Sequence, residues 1–289
     1  MVQHSELDDA TAEDLLRLVE AALAEDVGSG DRTAALVSPD ASATASIITR
    51  ETIILAGRPW VDSLFARLDP EICLEWLFDD GETLASGEVL CRLTGPARSL
   101  LTGERTALNI LQTLSATATT AGAYVEAVRG TGCRILDTRK TIPGLRRAQK
   151  YAVRCGGAEN HRTGLFDAIL IKENHILSAG SISAAIAGAR RHNPGILIEI
   201  EVESLAELEE ALDGSPDRIL LDNFSQDALA AAVNANRARP ADQRAELEAS
   251  GNVSLLDVRE TAQTGVDFIS VGALTKHIRA IDLSMRVDS

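Results

Sequence analysis

Apolar residues recur along this chain with two different periods, and the change of period divides it. Over roughly the first 25 residues Leu15, Leu16, Val19, Ala22 and Leu23 fall on one helical stripe. A capping-box-like Thr11-x-x-Asp14 opens the stripe and Gly28 is placed to close it. From about residue 41 to residue 98 the pattern shortens to β-type runs at 46–49, 52–56 and 88–93. These are broken by Gly57-Arg58-Pro59, Asp79-Asp80-Gly81 and Gly95-Pro96. That stretch predicts a small α+β unit. A single long helix rich in Ala and Thr is predicted from Leu100 to about Val128, ended by Gly130 and Gly132.

Beyond residue 134 apolar runs alternate with helical segments at intervals of roughly 20 to 30 residues. The runs lie at 134–136, 168–171, 196–202, 218–221, 245–247 and 266–271, with a weaker candidate at 158–160. Between them stand helix starts marked Ser204-x-x-Glu207 and Ser254-x-x-Asp257. Alternating β and α elements predict a parallel sheet. Nearly every run ends in polar residues or glycine: Asp137-Thr138-Arg139-Lys140, Asn160-His161-Arg162, Lys172-Glu173-Asn174, Glu199 and Glu201, Asp222-Asn223, Ser250-Gly251-Asn252 and Gly272-Ala273. Functional groups at the carboxyl ends of many strands suit a βα barrel, whose strand ends converge on one mouth. A doubly wound sheet would gather them at a single switch point. The expected architecture is therefore α/β: an N-terminal domain over residues 1–115 and an incomplete α/β barrel of six or seven strands over 116–274. The tail at 275–289 is a candidate to pack back on the first domain.

Charge refines this picture. The 289 residues carry a net charge of −15, yet 134–172 contains nine cations (Arg134, Arg139, Lys140, Arg146, Arg147, Lys150, Arg154, Arg162 and Lys172) and three acids (Asp137, Glu159 and Asp167). A positive patch inside an acidic chain suits a small polyanion better than nucleic acid, which the remaining surface would repel. With 3% aromatic residues the chain also lacks stacking platforms for single strands. Only four lysines (Lys140, Lys150, Lys172 and Lys276) stand against 24 arginines, so a lysine beside the patch suggests a phosphate met as a point charge. No apolar run approaches the roughly 20 residues of a membrane span. Acidic residues (Glu6, Asp8, Asp9, Glu13 and Asp14) occupy the place of a basic secretory leader, so the expected location is the cytoplasm, with no membrane partner. Cys73, Cys91, Cys133 and Cys155 are spaced 18, 42 and 22 apart, which matches neither a metal clip nor a disulfide framework.

Arg139, Arg162 and Lys172 would bring three cations to the barrel mouth, where arginine forks grip carboxylates, and His161 would add a donor or a proton-transfer group. Glu201 and Asp222 each directly follow an apolar run, and oxygen ligands of this kind make a Mg²⁺ site completed by water and substrate phosphates. Ser250-Gly251-Asn252 and Val271-Gly272-Ala273 follow the last two strands, where barrel loops often bind phosphate through backbone N–H groups. The GSGDRT stretch at 28–33 lacks the third glycine of a dinucleotide fingerprint, and no phosphate loop of the GxxxxGK[ST] type is present. The stretch at 79–93 has the shape of a biotinyl or lipoyl carrier, but no lysine precedes Lys140 to carry the cofactor.

EDVGSGDRT (25–33), LLTGERTALNILQTLSATAT (100–119), DTRKTIPGLR, GGAENHR, IKENH, IEVESLAELEEAL, ILLDNF, EASGNVS and SVGALT together resemble the quinolinate phosphoribosyltransferase family over nearly the whole chain. The resemblance implies an N-terminal α/β sandwich domain, an α/β barrel of about seven strands, and a homodimer in which Arg105 is donated to the partner's site; assembly beyond the dimer is left open. It implies that Thr138, Arg139, His161, Arg162 and Lys172 surround the two carboxylates of quinolinate. Lys140, Glu201 and Asp222 would face phosphoribosyl pyrophosphate and its Mg²⁺. Ser250, Gly251, Asn252, Val271, Gly272 and Ala273 would hold the 5′-phosphate. The implied reaction joins the pyridine nitrogen to ribose C1 with loss of pyrophosphate and CO₂, giving nicotinate mononucleotide for NAD biosynthesis, with Lys140, Glu201 and Asp222 as its catalytic set. Nicotinate itself, or another sugar phosphate, is the alternative substrate. The family commonly has His then Ser after VGALT, whereas this chain has Lys276 and His277.

Overall fold

A computed structural model of the chain describes residues 7–287; Glu6 of the acidic N-terminus and the last two residues of the tail lie outside the described residues. The chain forms two compact units, 7–122 with 141–157 and 275–287 in one, and 123–140 with 158–274 in the other. No helix among the described residues is long and apolar enough to cross a membrane.

The first unit opens with α1 (Asp9–Asp26), whose N-cap is Asp8, one turn earlier than the Thr11–Asp14 pair. The Asp8 carboxylate accepts from Thr11 N–H at 2.7 Å, satisfying one of the free amides of the first turn, while Thr11 itself is buried. There follow β1 (Ser42–Thr49), β2 (Ile53–Ile54), α2 (Arg58–Leu68), β3 (Cys73–Trp76), β4 (Thr83–Leu84), β5 (Val89–Pro96) and the long α3 (Ala97–Ala127). β2 pairs with β4, and β1, β5 and β3 are neighbours in an antiparallel sheet. The chain then leaves for the second unit through β6 (Arg134–Leu136) and returns as α4 (Arg146–Cys155). Its final strand closes the sheet's other edge, pairing Leu283 with Thr49 and Val287 with Ala45, so the tail does pack back. Trp60, Leu64, Phe65, Leu90, Leu93, Leu100, Leu108 and Leu111 are fully or nearly fully buried in one cluster that also takes in Tyr151 and Ala152 of α4.

In the second unit β6 is followed by β7 (Ile169–Ile171), α5 (Glu173–Ala179), α6 (Ile182–His192), β8 (Ile198–Val202), α7 (Leu205–Gly214), β9 (Arg218–Asp222), α8 (Gln226–Ala238), β10 (Glu246–Ser250), α9 (Val258–Gln263) and β11 (Phe268–Ser270). Then α10 (Ala273–Lys276) leads to the last strand, β12 (Leu283–Val287), described above. The six parallel strands run in the order β6-β11-β10-β9-β8-β7. A single parallel bridge between Leu136 and Glu159 stands where the weak run at 158–160 was expected to add a seventh. The barrel is thus incomplete. Ser204 caps α7 as its motif predicts, accepting from Glu207 N–H at 3.3 Å. The Ser254–Asp257 pair instead forms the turn before α9: Asp257 accepts from Ser254 N–H at 2.6 Å, and the helix begins at Val258.

Register partners share a face of a sheet, so the pairing decides what lines the barrel. Glu199 and Glu201 of β8 stand beside Arg218 and Leu220 of β9, and Glu246, Glu248 and Ser250 of β10 beside Arg218, Leu220 and Asp222. The opposite face carries Ile198, Ile200, Ile219, Leu221, Leu247, Ala249 and Ile269, all buried. The apolar face packs outward under helices, and the polar face turns inward. At its floor Phe268 is held between the guanidiniums of Arg134 and Arg218, each 4.0 Å from the ring centroid. Three of the four cysteines are buried, and burial pushes each of their thiols up to about 12.

Candidate active site

The predicted site residues of the barrel all stand at carboxyl strand ends. Thr138, Arg139 and Lys140 follow β6; His161 and Arg162 follow the bridged Glu159; Lys172 follows β7. Glu201 lies one residue from the end of β8, Asp222 and Ser250 end β9 and β10, and Val271, Gly272 and Ala273 follow β11. Parallel strands in register deliver these groups together because each strand stops at about the same level. Thr138 and Lys140 meet the β11 loop directly. The Thr138 hydroxyl accepts from Lys140 N–H at 3.0 Å, and a Cβ on Gly272 would come within 3.0 Å of the Lys140 side chain and 3.6 Å of Thr138 Oγ1. Glycine at 272 therefore lets Lys140 lie across the loop.

Asp137, absent from the predicted set, organises the neighbouring strand end. It is fully buried, and its carboxylate accepts from Asn160 Nδ2 at 2.7 Å and from His161 N–H at 2.9 Å. The signal was an acid set directly after an apolar run, like Asp222 after RILL. His161 has both ring nitrogens turned to protein groups: Nδ1 accepts from Arg162 N–H at 2.8 Å and Nε2 lies 2.8 Å from Glu199. It thus fixes the main chain at Arg162. Partial burial and the neighbouring charge of Arg139 both pull the Arg162 guanidinium below its ordinary value. Two guanidiniums held near each other against their own repulsion form a preorganised site for an anion with more than one negative oxygen.

Two sets of carboxylates stand nearby. Glu201, Glu203 and Asp222 each bring a carboxylate oxygen within 4.8 Å of the others, at the rim and open to solvent. Lys172 Nζ forms an ion pair with Glu201, linking the cationic and acidic sides of the mouth. Hard oxygen ligands with room for waters fit Mg²⁺. The second set, His161, Glu199 and Glu248, is equally close but lies on the inner face, with both glutamates buried and His161 partly so. Burial and the facing Glu199 push Glu248 up to about 8, and Arg218 lies 3.5 Å from it. Burial raises Glu199 as well, against the charges of Arg218 and Arg162. With two guanidiniums already offsetting the charge, a proton satisfies this pair better than a dication does. EIEVE and ELEAS carried the pattern as acids two apart on one strand face.

Arg105 is exposed on α3 in the first unit. The EDVGSGDRT motif is tied down on both sides of it, with Thr102 donating to Asp31 at 3.0 Å and Thr106 donating to Asp26 at 3.2 Å.

The family profile for the quinolinate phosphoribosyl transferase C-terminal domain matches residues 117–286, and that for the N-terminal domain matches 31–115. The chain is 41% identical over 266 residues to a probable nicotinate-nucleotide pyrophosphorylase (carboxylating) of Synechocystis, covering 92% of this chain and 90% of that protein. It is 42% identical to the enzyme of that name from Mycobacterium leprae, covering 88% and 89%. The solved structure of the nicotinate-nucleotide pyrophosphorylase from Francisella tularensis superposes with a TM-score of 0.92 at 47% identity, over 96% of each chain. Two matched domains, a strand-end site of cations and carboxylates, and relatives aligned almost end to end agree: the chain belongs to the quinolinate phosphoribosyltransferase family.

Proposed function

We propose that this protein transfers the phosphoribosyl group of phosphoribosyl pyrophosphate to quinolinate with decarboxylation, yielding nicotinate mononucleotide, pyrophosphate and CO₂ for NAD biosynthesis. The observation that carries this reading is the gathering of Arg139, Arg162 and Lys172 at carboxyl strand ends, with His161 fixing the Arg162 main chain. That much positive charge suits a dicarboxylate and exceeds what the single carboxylate of nicotinate calls for. Both substrates are polyanions, and offsetting their mutual repulsion is the first requirement for bringing them together.

In this reading Thr138, Arg139, Arg162 and Lys172 orient the carboxylates of quinolinate, and Arg105 of a second copy completes the pocket, making the working form a homodimer. Lys140 and the Ser250–Asn252 and Val271–Ala273 turns take the phosphates. Glu201 and Asp222, with Glu203 beside them, would hold Mg²⁺, which when bound would offset the charge of the pyrophosphate. As the pyridine nitrogen closes on C1, the sugar acquires positive charge, and the fixed carboxylates of Glu201 and Asp222 stabilise it electrostatically. The ring nitrogen is then cationic, which favours loss of the adjacent carboxylate as CO₂ by stabilising the electron pair left on the ring carbon. A proton from solvent then takes that pair to give the C–H bond of the product. Lys276 keeps a cation, which can contact phosphate, where the family commonly has histidine.

The test is to incubate the purified protein with phosphoribosyl pyrophosphate, Mg²⁺ and either quinolinate or nicotinate, following CO₂ and mononucleotide. Mononucleotide and CO₂ from quinolinate, with no product from nicotinate, is the expected outcome. Product from nicotinate alone would assign the protein to the other pyridine substrate.

A further inference from the structure

We propose that Asn223 is a positioning residue for Asp222: its side-chain amide holds the Asp222 carboxylate in place beside Glu201, in a backbone pose that Gly251 makes room for. The inference rests on the reading of Glu201 and Asp222 as the groups facing phosphoribosyl pyrophosphate and its Mg²⁺.

Asp222 ends β9, and the next residue turns the chain into the left-handed region, with φ +55 at Asn223. After glycine, asparagine is among the residues that accept this conformation most readily. Two hydrogen bonds fix it there. Its N–H donates to Ser250 O at 2.9 Å, tying the end of β9 to the end of β10, and its Nδ2 donates to Asp222 Oδ2 at 2.8 Å. A carboxylate of this kind accepts only, so the nitrogen of the amide faces Asp222 and the oxygen faces the other way. On that other side lies Gly251, with φ +113, where a Cβ would sit 2.2 Å from Asn223 Oδ1 and 2.9 Å from Cγ. The amide is therefore held between the carboxylate that it serves and a turn that approaches so closely only because it is glycine. Asn252, at φ +45, continues the same left-handed corner.

The acid set gives the clamp its purpose. Carboxylate oxygens of Glu201, Glu203 and Asp222 lie within 4.8 Å of one another, and like charges at that spacing turn away from each other unless something holds them. A donor on Asp222 keeps its carboxylate at the cluster before any cation arrives. Asn223 itself is exposed and supports no core, so removing its amide acts on the site rather than on the fold.

The experiment compares wild type with Asn223→Gly, Asn223→Asp and Asp222→Asn in the full-length protein. Asn223→Gly keeps the positive φ without strain and deletes the amide; Asn223→Asp keeps the shape and replaces the donor with a repelling charge. Binding of Mn²⁺ with phosphoribosyl pyrophosphate, without quinolinate, is followed by electron paramagnetic resonance, alongside KM for each substrate and thermal melting. Asn223→Gly is expected to weaken Mn²⁺–phosphoribosyl pyrophosphate binding about tenfold, the usual scale for a group that orients a ligand residue. KM for phosphoribosyl pyrophosphate should rise with it, while KM for quinolinate and the melting temperature stay near wild type. Asn223→Asp should lose more. Should Asn223→Gly fail to fold, Asn223→Ala supplies the same test, because it deletes the amide at an exposed position, leaves the Gly251 turn untouched and should raise the same KM. Wild-type binding in Asn223→Gly, with weakened binding in Asp222→Asn, would overturn the positioning role alone. Wild-type binding in Asp222→Asn would overturn both that role and the assignment of Asp222 on which it rests.

Discussion

Glu248 shows how much one buried group can impose. It is fully buried on the inner face of the barrel, facing Glu199, with His161 3.6 Å away. Burial and the Glu199 charge push it up to about 8, against an ordinary value of 4.5. The folded protein thus holds this proton more tightly than the unfolded chain does. The associated stability is present in full below about 4.5 and is lost as the pH rises through about 8. Glu248→Gln removes the titration while keeping the shape. The melting temperature of the wild type is expected to fall more steeply than that of Glu248→Gln between about pH 5 and about pH 8, where the unfolded carboxyl has lost a proton that the folded one keeps. Parallel profiles over that range would show that the folded protein holds the Glu248 proton no more tightly than the unfolded chain does.

Elements set the precision with which such residues are held. Strand register puts Glu199, Glu201, Arg218, Asp222, Glu246 and Glu248 on one face, so a slip of one residue would turn the whole set outward. In the first unit α4 ends against α3 at Gly156, where a Cβ would meet the Ala118 carbonyl oxygen at 2.3 Å and the Ala121 Cβ at 2.7 Å. A methyl group there must push the backbones of two helices apart. Gly156→Ala is expected to destabilise the protein by about 1–3 kcal/mol, the range for overpacked cores, measured as a lower denaturant midpoint with an unchanged slope. An unchanged midpoint would mean that α4 yields at its end without cost.

At the scale of the whole molecule the proposed dimer makes a quantitative claim. Arg105→Ala removes the donated arginine and Lys140→Ala removes a cation of the barrel mouth, and each homodimer should be nearly inactive. Mixed and exchanged at equal concentration, half of the dimers hold one copy of each kind. In such a dimer the Lys140→Ala chain donates its intact Arg105 to the intact barrel of the other. Activity should return to about a quarter of wild type if the site is shared across a twofold axis. No recovery after confirmed subunit exchange would place Arg105 in its own chain's site or in none.

Periodicity and punctuation in the sequence determined the two-part architecture, the six parallel strands to within a few residues, the long α3 and the strand-end position of nearly every candidate residue. These follow from local rules, because alternation, caps and glycine turns act over a few residues. Cations and acids directly after apolar runs marked the mouth for the same reason. What the tertiary structure decided was pairing at a distance. It showed that Asp137 holds the His161 strand end, that His161 meets Glu199 and Glu248, and that Gly251 opens space for Asn223. It returned α4 and β12 to the first unit's core and sheet, and it moved the α1 cap to Asp8. Each depends on groups brought together from far along the chain, or on competition between neighbouring caps. Burial, packing and charge in three dimensions settle such choices, and a one-dimensional pattern does not contain them.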